Sequence, residues 1–343
     1  MGARHSAADV AVVGGGPAGA AAAIACALRG LRVTLFERGA SGRDSPGETL
    51  HPGIEPLLAQ LGVGAGLAAV TGARHPGIWT EWGGPRKFEP FGADAGGPWR
   101  GFQVKRGEFD AMLRSRAQAL GVVLRQPVAV GPPLLRDGAV CGLETDAGPV
   151  PARLVIDATG RSRWLGRALG IDSPASSPPL LARYGYVRGS CPQRDGAPLM
   201  AGDAAGWTWT ALVRPDTYQW THLALDGGKP AADWLPEELR GLLPLGRARG
   251  ADVTWRLAAQ PAGPGWFMVG DAAALLDPSS ARGVMKALMS GMAAAHLGAA
   301  VLAGQAPAAQ TALAYRDWLA AWFAADAARM GAFYRGLGAA GFA

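Results

Sequence analysis

The stretch ADVAVVGGGPAGAAAAIACALRGLRVTLFERG carries Gly14, Gly16 and Gly19 in the spacing GxGxxG. That spacing suits a pyrophosphate. Gly14 permits a tight turn, Gly16 lets phosphates approach the backbone, and Gly19 lets helix and strand pack closely. Glu37 follows 21 residues after Gly16, where a carboxylate can take a ribose hydroxyl pair. An acid rather than an arginine there favours an unphosphorylated ribose, hence FAD or NAD over NADP. A second stretch, GDAAALLDPSSARGVMKALMSG, lies at 270–291. It sets Asp271 and Asp277 before Pro278, two serines able to cap a helix, Gly283, and an apolar run to Leu302 broken only by Lys286, Ser290 and His296. Asp277 reads as a ligand or as a cap. Glu48 and His51, in PGETLHPG, offer a carboxylate and an imidazole for acid–base chemistry. Glu48 reads equally as a structural residue bound to backbone, and His51 as the cap of a turn starting at Pro52.

These groups need elements to hold them. Residues 9–13 form a short apolar strand, an alanine-rich helix presents its free N–H groups to phosphate, and Leu31–Phe36 completes a βαβ unit. GFQVKRGEFDAMLRSRAQALGV predicts a strand, a turn at Gly107 and an amphipathic helix with Phe109, Met112 and Leu113 on one side. LVIDATG predicts a buried strand ending at Asp157-Ala158-Thr159-Gly160, and GWFMVGD another ending at Gly270-Asp271. Period-two runs over 66–100 and 175–260 predict an antiparallel sheet. In WTWTA, alternation puts Trp207 and Trp209 on one face and the threonines on the other, a face that lines a pocket or packs as core. DGGKPAADWLPEEL predicts a short rim helix, GADAGGPWRG a mobile loop at the pocket mouth, and Ala308–Arg335 a terminal helix.

The 343 residues allow two intimately packed domains. Net charge is +6, but it is spread along the chain, and only Lys87, Lys105, Lys229 and Lys286 among 33 basic residues are lysine. With no basic stripe or stacking motif, nucleic acid is not an expected partner. An odd, widely spaced set of cysteines, Cys26, Cys141 and Cys191, predicts neither disulfides nor a zinc site, and a reducing cytoplasm is the expected location. No metal is expected. Residues 283–302 approach membrane-span length, yet Lys286 and His296 inside them predict a buried helix and no membrane span.

In this order, the pieces resemble the FAD-dependent monooxygenases of the p-hydroxybenzoate hydroxylase fold. The resemblance implies an α/β fold with a discontinuous Rossmann-like FAD-binding domain (1–65, 101–174 and 261–305). It further implies an antiparallel substrate sheet (66–100 and 175–260) and a C-terminal helical segment, 306–343. FAD is the implied cofactor, with contacts from Gly14, Gly16, Pro17, Ala18, Gly19, Glu37, Arg38, Thr49, Gln103, Arg106, Ala158, Gly160, Asp271, Pro278, Gly283 and Val284. The helix after Pro278 would aim its positive end at the flavin pyrimidine edge, with the serines capping it. Lys286 would reinforce that charge or reach to the surface.

GETLHPG, WTWTA and DPSSARGVMKALMSG narrow the resemblance to flavin-dependent tryptophan halogenases and to related flavoproteins that modify tryptophan while maturing quinone-cofactor amine oxidases and dehydrogenases. Ala211-Leu212 stand where the halogenase WxWxIP motif has Ile-Pro. The expected activity is hydroxylation of an indole-like aromatic, free or peptide-borne, through a flavin C4a-hydroperoxide. Glu48, His51 and Lys286 are the candidate catalytic residues, and Trp207 and Trp209 the substrate walls. Halogenation, which in that family needs a lysine between flavin and substrate, has Lys87 as its candidate. A third reading is a flavin reductase similar to geranylgeranyl reductases. No second glycine motif serves a nicotinamide, so electrons are expected from an external flavin reductase or from NAD(P)H.

Overall fold

The computed structural model describes residues 8–40, 46–225, 228, 231 and 233–342. Apart from Asp9, strand β1 (Ala8–Val13) is apolar and buried on both faces, as the middle of a parallel sheet requires. It lies between β2 (Val33–Phe36) and the strand Gly148–Asp157, both parallel to it, and Val123–Arg125 and Trp266–Met268 extend the sheet in parallel on either side. The register matches Val13 with both Phe36 and Asp157, and Asp157 with Met268. The strands therefore end together, so Gly14, Glu37, Ala158 and Val269 stand side by side at the carboxyl edge, where ligands bind in open α/β sheets. Val130–Arg136 and Ala139–Thr145 form an antiparallel flap on the first half of the Gly148–Asp157 strand.

Helix α1 (Pro17–Ala27) leaves the turn at Gly14 and is buried along nearly its whole length. Gly14 has φ +104°, and a Cβ there would sit 2.3 Å from the Ala158 carbonyl oxygen, so turn and neighbouring strand admit only glycine. The apolar helix Gly283–Leu302 is long and apolar enough to cross a membrane. Here its stripe of Val284, Leu288, Gly291, Ala294, Ala295 and Gly298 is buried. A Cβ on Gly291 would lie 2.2 Å from the Ala18 carbonyl oxygen, the mark of near backbone-to-backbone contact with α1.

The second large sheet runs from Leu243–Pro244 through Leu181–Arg188, Thr217–Ala224, Gly206–Arg214, Leu199–Asp203 and Gly77–Trp82 to the edge strand Lys87–Pro90. It is antiparallel except where Leu199–Asp203 runs parallel to Gly77–Trp82, a departure from the all-antiparallel expectation. Those two strands are far apart in sequence, so no hairpin turn dictates their direction. Residues 92–101 are not a loose loop. Ala93–Asp94 pairs with Gly97–Pro98, and Trp99 Nε1 donates to Asp94 across the hairpin. The expected rim helix reduces to a 3-10 turn at Glu237–Leu239; several residues of its first half, and Lys229, lie outside the described residues. The strap strand Thr49–Leu50 pairs with Gly101–Val104, which pairs in turn with Thr71–His75 in a separate three-stranded sheet; the loop before the strap includes 41–45, also outside the described residues.

The C-terminal helix Ala308–Gly336 buries Tyr315, Leu319, Phe323, Asp326, Met330 and Tyr334, one stripe at helical spacing. Trp318, Trp322 and Phe333 are half-buried beside it, and Leu313 is exposed.

Candidate active site

A cavity of about 620 Å³ runs from the carboxyl edge of the parallel sheet to the inner face of the second sheet. At the first end, the Glu37 carboxylate accepts from Gly15 N at 2.7 Å and Gly39 N at 2.5 Å. Two of its acceptor positions thus hold the glycine turn, and it still lines the cavity. Arg114 donates to the Gly15 carbonyl at 3.0 Å from the opposite side. Asp157 is buried and accepts from Thr159 N, Thr159 Oγ1 and Leu165 N at 2.7–2.9 Å, which pins the Ala158–Gly160 turn. Burial raises its carboxyl. Burial also raises Asp271, against the pull of Arg161 and Arg106.

Arg106 bridges two layers. Nη1 donates to the Pro46 carbonyl of the strap at 2.7 Å, and Nε and Nη2 hold Asp110 at 3.1 Å. Arg106, Asp110 and Arg114 are spaced four apart on the helix Arg106–Ala119 and all line the cavity. Asp110 and Arg114 were not singled out from sequence, although that i, i+4, i+8 stripe of charge was there to be read.

Glu48 is 2% exposed. Its Oε2 accepts from Gly47 N at 2.8 Å and its Oε1 from the Tyr186 hydroxyl, a partner that sequence reasoning missed. Burial pushes its carboxyl up to about 7, against the lowering effects of Tyr186 and Arg106. Tyr186 belongs to a strand whose alternation was legible, but which strap residue it would meet was not.

Trp207 and Trp209 both line the cavity, and Thr208 and Thr210 face away, bound to His222 and Glu238. Neither indole N–H is free. Trp209 Nε1 donates to Thr49 Oγ1 at 3.2 Å, Thr49 donates to Gln103 Oε1 at 2.9 Å, and Gln103 Nε2 meets His75 Nε2 at 3.2 Å. This order of donors assigns the His75 proton to Nδ1, which donates to the Gly77 carbonyl at 2.9 Å. Burial holds His75 down to about 4, so it stays neutral. Trp207 Nε1 donates to Tyr334 Oη at 2.9 Å, and Tyr334 donates to Asp277 Oδ1 at 2.8 Å. Trp255 Nε1 donates to Asp277 Oδ2 at 2.6 Å. The two tryptophans are therefore fixed apolar walls.

Eighteen of the expected site residues border this one cavity: Gly14, Gly16, Pro17, Ala18, Glu37, Arg38, Glu48, Thr49, Arg106, Ala158, Gly160, Trp207, Trp209, Asp271, Pro278, Gly283, Val284 and Lys286. Three do not. Gly19 lies behind, where a Cβ would strike the Gly14 carbonyl oxygen at 1.9 Å. Gln103 is buried in the Thr49–His75 chain. His51 caps the turn at Pro52, accepting from Gly53 N at 3.0 Å, so its ring is tied to local backbone instead of facing the cavity. Lys286 borders the cavity but its Nζ is held by Asp326 and stands 4.6 Å over the Trp322 ring. Lys87 sits on the exposed edge strand, outside the cavity.

Nor do the serines cap the apolar helix. Asp277 caps the 3-10 turn Pro278–Ser280 by accepting from Ser279 N at 2.9 Å, and Ala281 turns left-handed at φ +50°. The apolar helix then starts behind Arg282, which makes no side-chain cap. Its first N–H groups are left for a ligand. The fit to FAD is steric and chemical. Open backbone at Gly16 and Gly283, where a Cβ would meet nothing within 4 Å, borders the cavity. Helix N-termini, which attract anions, stand there too, with the Glu37 carboxylate at the sheet edge.

The FAD binding domain family matches residues 7–177. A tryptophan 2-halogenase of Chondromyces crocatus is 29% identical over 88% of this chain and 62% of its own length. A menaquinone reductase of Mycolicibacterium smegmatis is 30% identical over 84% of this chain and 76% of its own. The structure of the myxobacterial chondrochloren halogenase CndH superposes with a TM-score of 0.82 at 24% identity, covering 96% of this chain and 81% of that one. The chain thus spans less than two thirds of the first of these relatives. Its cavity, its glycine cradle and these matches together place it among the FAD-dependent enzymes of the p-hydroxybenzoate hydroxylase fold, with similarity to a flavin-dependent halogenase and to a menaquinone reductase.

Proposed function

We propose that this chain hydroxylates an electron-rich aromatic ring of indole type. The observation that carries the reading is a tryptophan-walled cavity bordered by one carboxylic acid poised near neutrality, Glu48, and by one lysine, Lys286, already engaged by Asp326. Bound FAD supplies the electron store and the activation of O2. One oxygen atom enters the ring, the other leaves as water, and two electrons arrive from a flavin reductase or NAD(P)H. Trp207 and Trp209 exclude water and offer flat faces to the ring. Glu48, within reach of either protonation state at pH 7, holds or accepts the proton that the ring gives up.

Halogenation is the second reading, and the names of the relatives favour it over hydroxylation. Against it stands the lysine placement: among the described residues, Lys286 alone borders the cavity. A reduction of the kind named for the menaquinone reductase would need no O2. The FAD-loaded protein, a reductant and indole or tryptophan would be incubated under labelled O2, with and without chloride or bromide. Products carrying labelled oxygen in halide-independent yield support hydroxylation. A halogenated product, or turnover without O2, overturns it.

A further inference from the structure

Four basic groups crowd the start of the apolar helix, faced by two carboxylates, Asp326 and the buried Asp277. Lys286 of the apolar helix and Arg329, one turn along the C-terminal helix, both bind Asp326. Arg282, in the cap position of the apolar helix, is close enough to Arg329, Lys286 and His51 for its charge to act on all three. Arg282 has no hydrogen bond or ion pair among the described residues. Like charges gathered this way repel one another, and burial brings Lys286 down to about 8. The group adjoins the cavity wall formed by Ala281, Gly283, Lys286 and Trp322. Beside it, the uncapped N–H groups of a 20-residue helix add partial positive charge.

We propose that Arg282, Lys286 and Arg329 seat an oxyanion of the substrate, a carboxylate or a phosphate, at the helix-side rim of the cavity. An anion there would relieve the repulsion, accept from the Arg282 guanidinium, and fix one end of an aromatic substrate whose ring lies toward the tryptophan walls. The seat rests on the aromatic-substrate reading for its occupant, but not for its own chemistry.

The test follows the visible spectrum of the FAD-loaded protein as indole-3-acetate or neutral 3-methylindole is added at constant ionic strength. The acid is expected to bind about tenfold more tightly than the neutral compound, the worth of one charge-assisted contact, and inorganic phosphate should compete with it. Arg282→Gln should abolish that preference and keep the affinity for 3-methylindole, which also shows that the variant folds and holds FAD. Arg329→Gln should weaken the preference. Equal affinity for acid and neutral compound in the unmodified protein, or a preference that survives both substitutions, overturns the seat. If neither indole perturbs the flavin, phosphate and acetate are tested alone by thermal shift. A saturable stabilisation lost in Arg282→Gln then supports the seat and removes the indole reading. Its absence removes both.

Discussion

At the scale of single residues, Glu48 concentrates the consequences of burial. Its carboxyl is raised from 4.5 to about 7 in the fold. The folded state therefore keeps a proton that the unfolded chain releases across that window, and stability falls as pH rises from about 5 to about 7. Replacing Glu48 with glutamine should remove that fall. In FAD-free protein, the glutamine variant should match the parent at pH 5 and exceed it by roughly 2–3 kcal/mol at pH 8, read from urea midpoints. A gap that is the same at both pH values would mean that the carboxylate is already ionised in the fold. The same variant should lose roughly a hundredfold or more in turnover if Glu48 handles the ring proton. Sequence marked Glu48 as a candidate but could not choose between catalysis and structure. The choice turns on Tyr186, which lies 138 residues away and donates to the same carboxylate.

At the scale of elements, the Asp277 carboxylate ties together pieces that sequence reads separately. It caps the Pro278 turn, takes the Trp255 indole, and through Tyr334 holds Trp207. The C-terminal helix thereby fixes a wall of the cavity. Replacing Tyr334 with phenylalanine leaves the Trp207 N–H unpaired and strips one donor from a buried carboxylate. A loss of about 1–3 kcal/mol is expected, measured by thermal or urea unfolding, together with a changed flavin spectrum as Trp207 shifts. Unaltered stability would show the hydroxyl to be dispensable. Asp277 acts as a cap by accepting from Ser279 N, its other donors are the Trp255 and Tyr334 side chains, and it still borders the cavity.

At the scale of the whole molecule, the cavity spans both large sheets, so a ligand long enough to reach from the Gly14 turn to the start of the apolar helix should stabilise more than its halves. FAD at about a hundred times its dissociation constant should add roughly 2.7 kcal/mol. FMN, lacking the adenosine half that the glycine turn and Glu37 would hold, should add markedly less. Equal shifts from the two, in thermal unfolding of FAD-free protein, would show that the first end of the cavity takes no part.

How far the chain was legible follows from the range of each interaction. The sequence by itself determined the βαβ unit, its phosphate-binding glycines and acid, the apolar helix and the alternation of Trp207 with Thr208, because each depends on residues a few positions apart. Only the tertiary structure decided that the tryptophans face the cavity with their N–H groups already spent. It alone set Lys87 on an open edge and brought Arg282 beside Lys286 and Arg329. Those outcomes depend on which distant side chain arrives opposite, and on whether water can still reach the group. Local spacing carries neither.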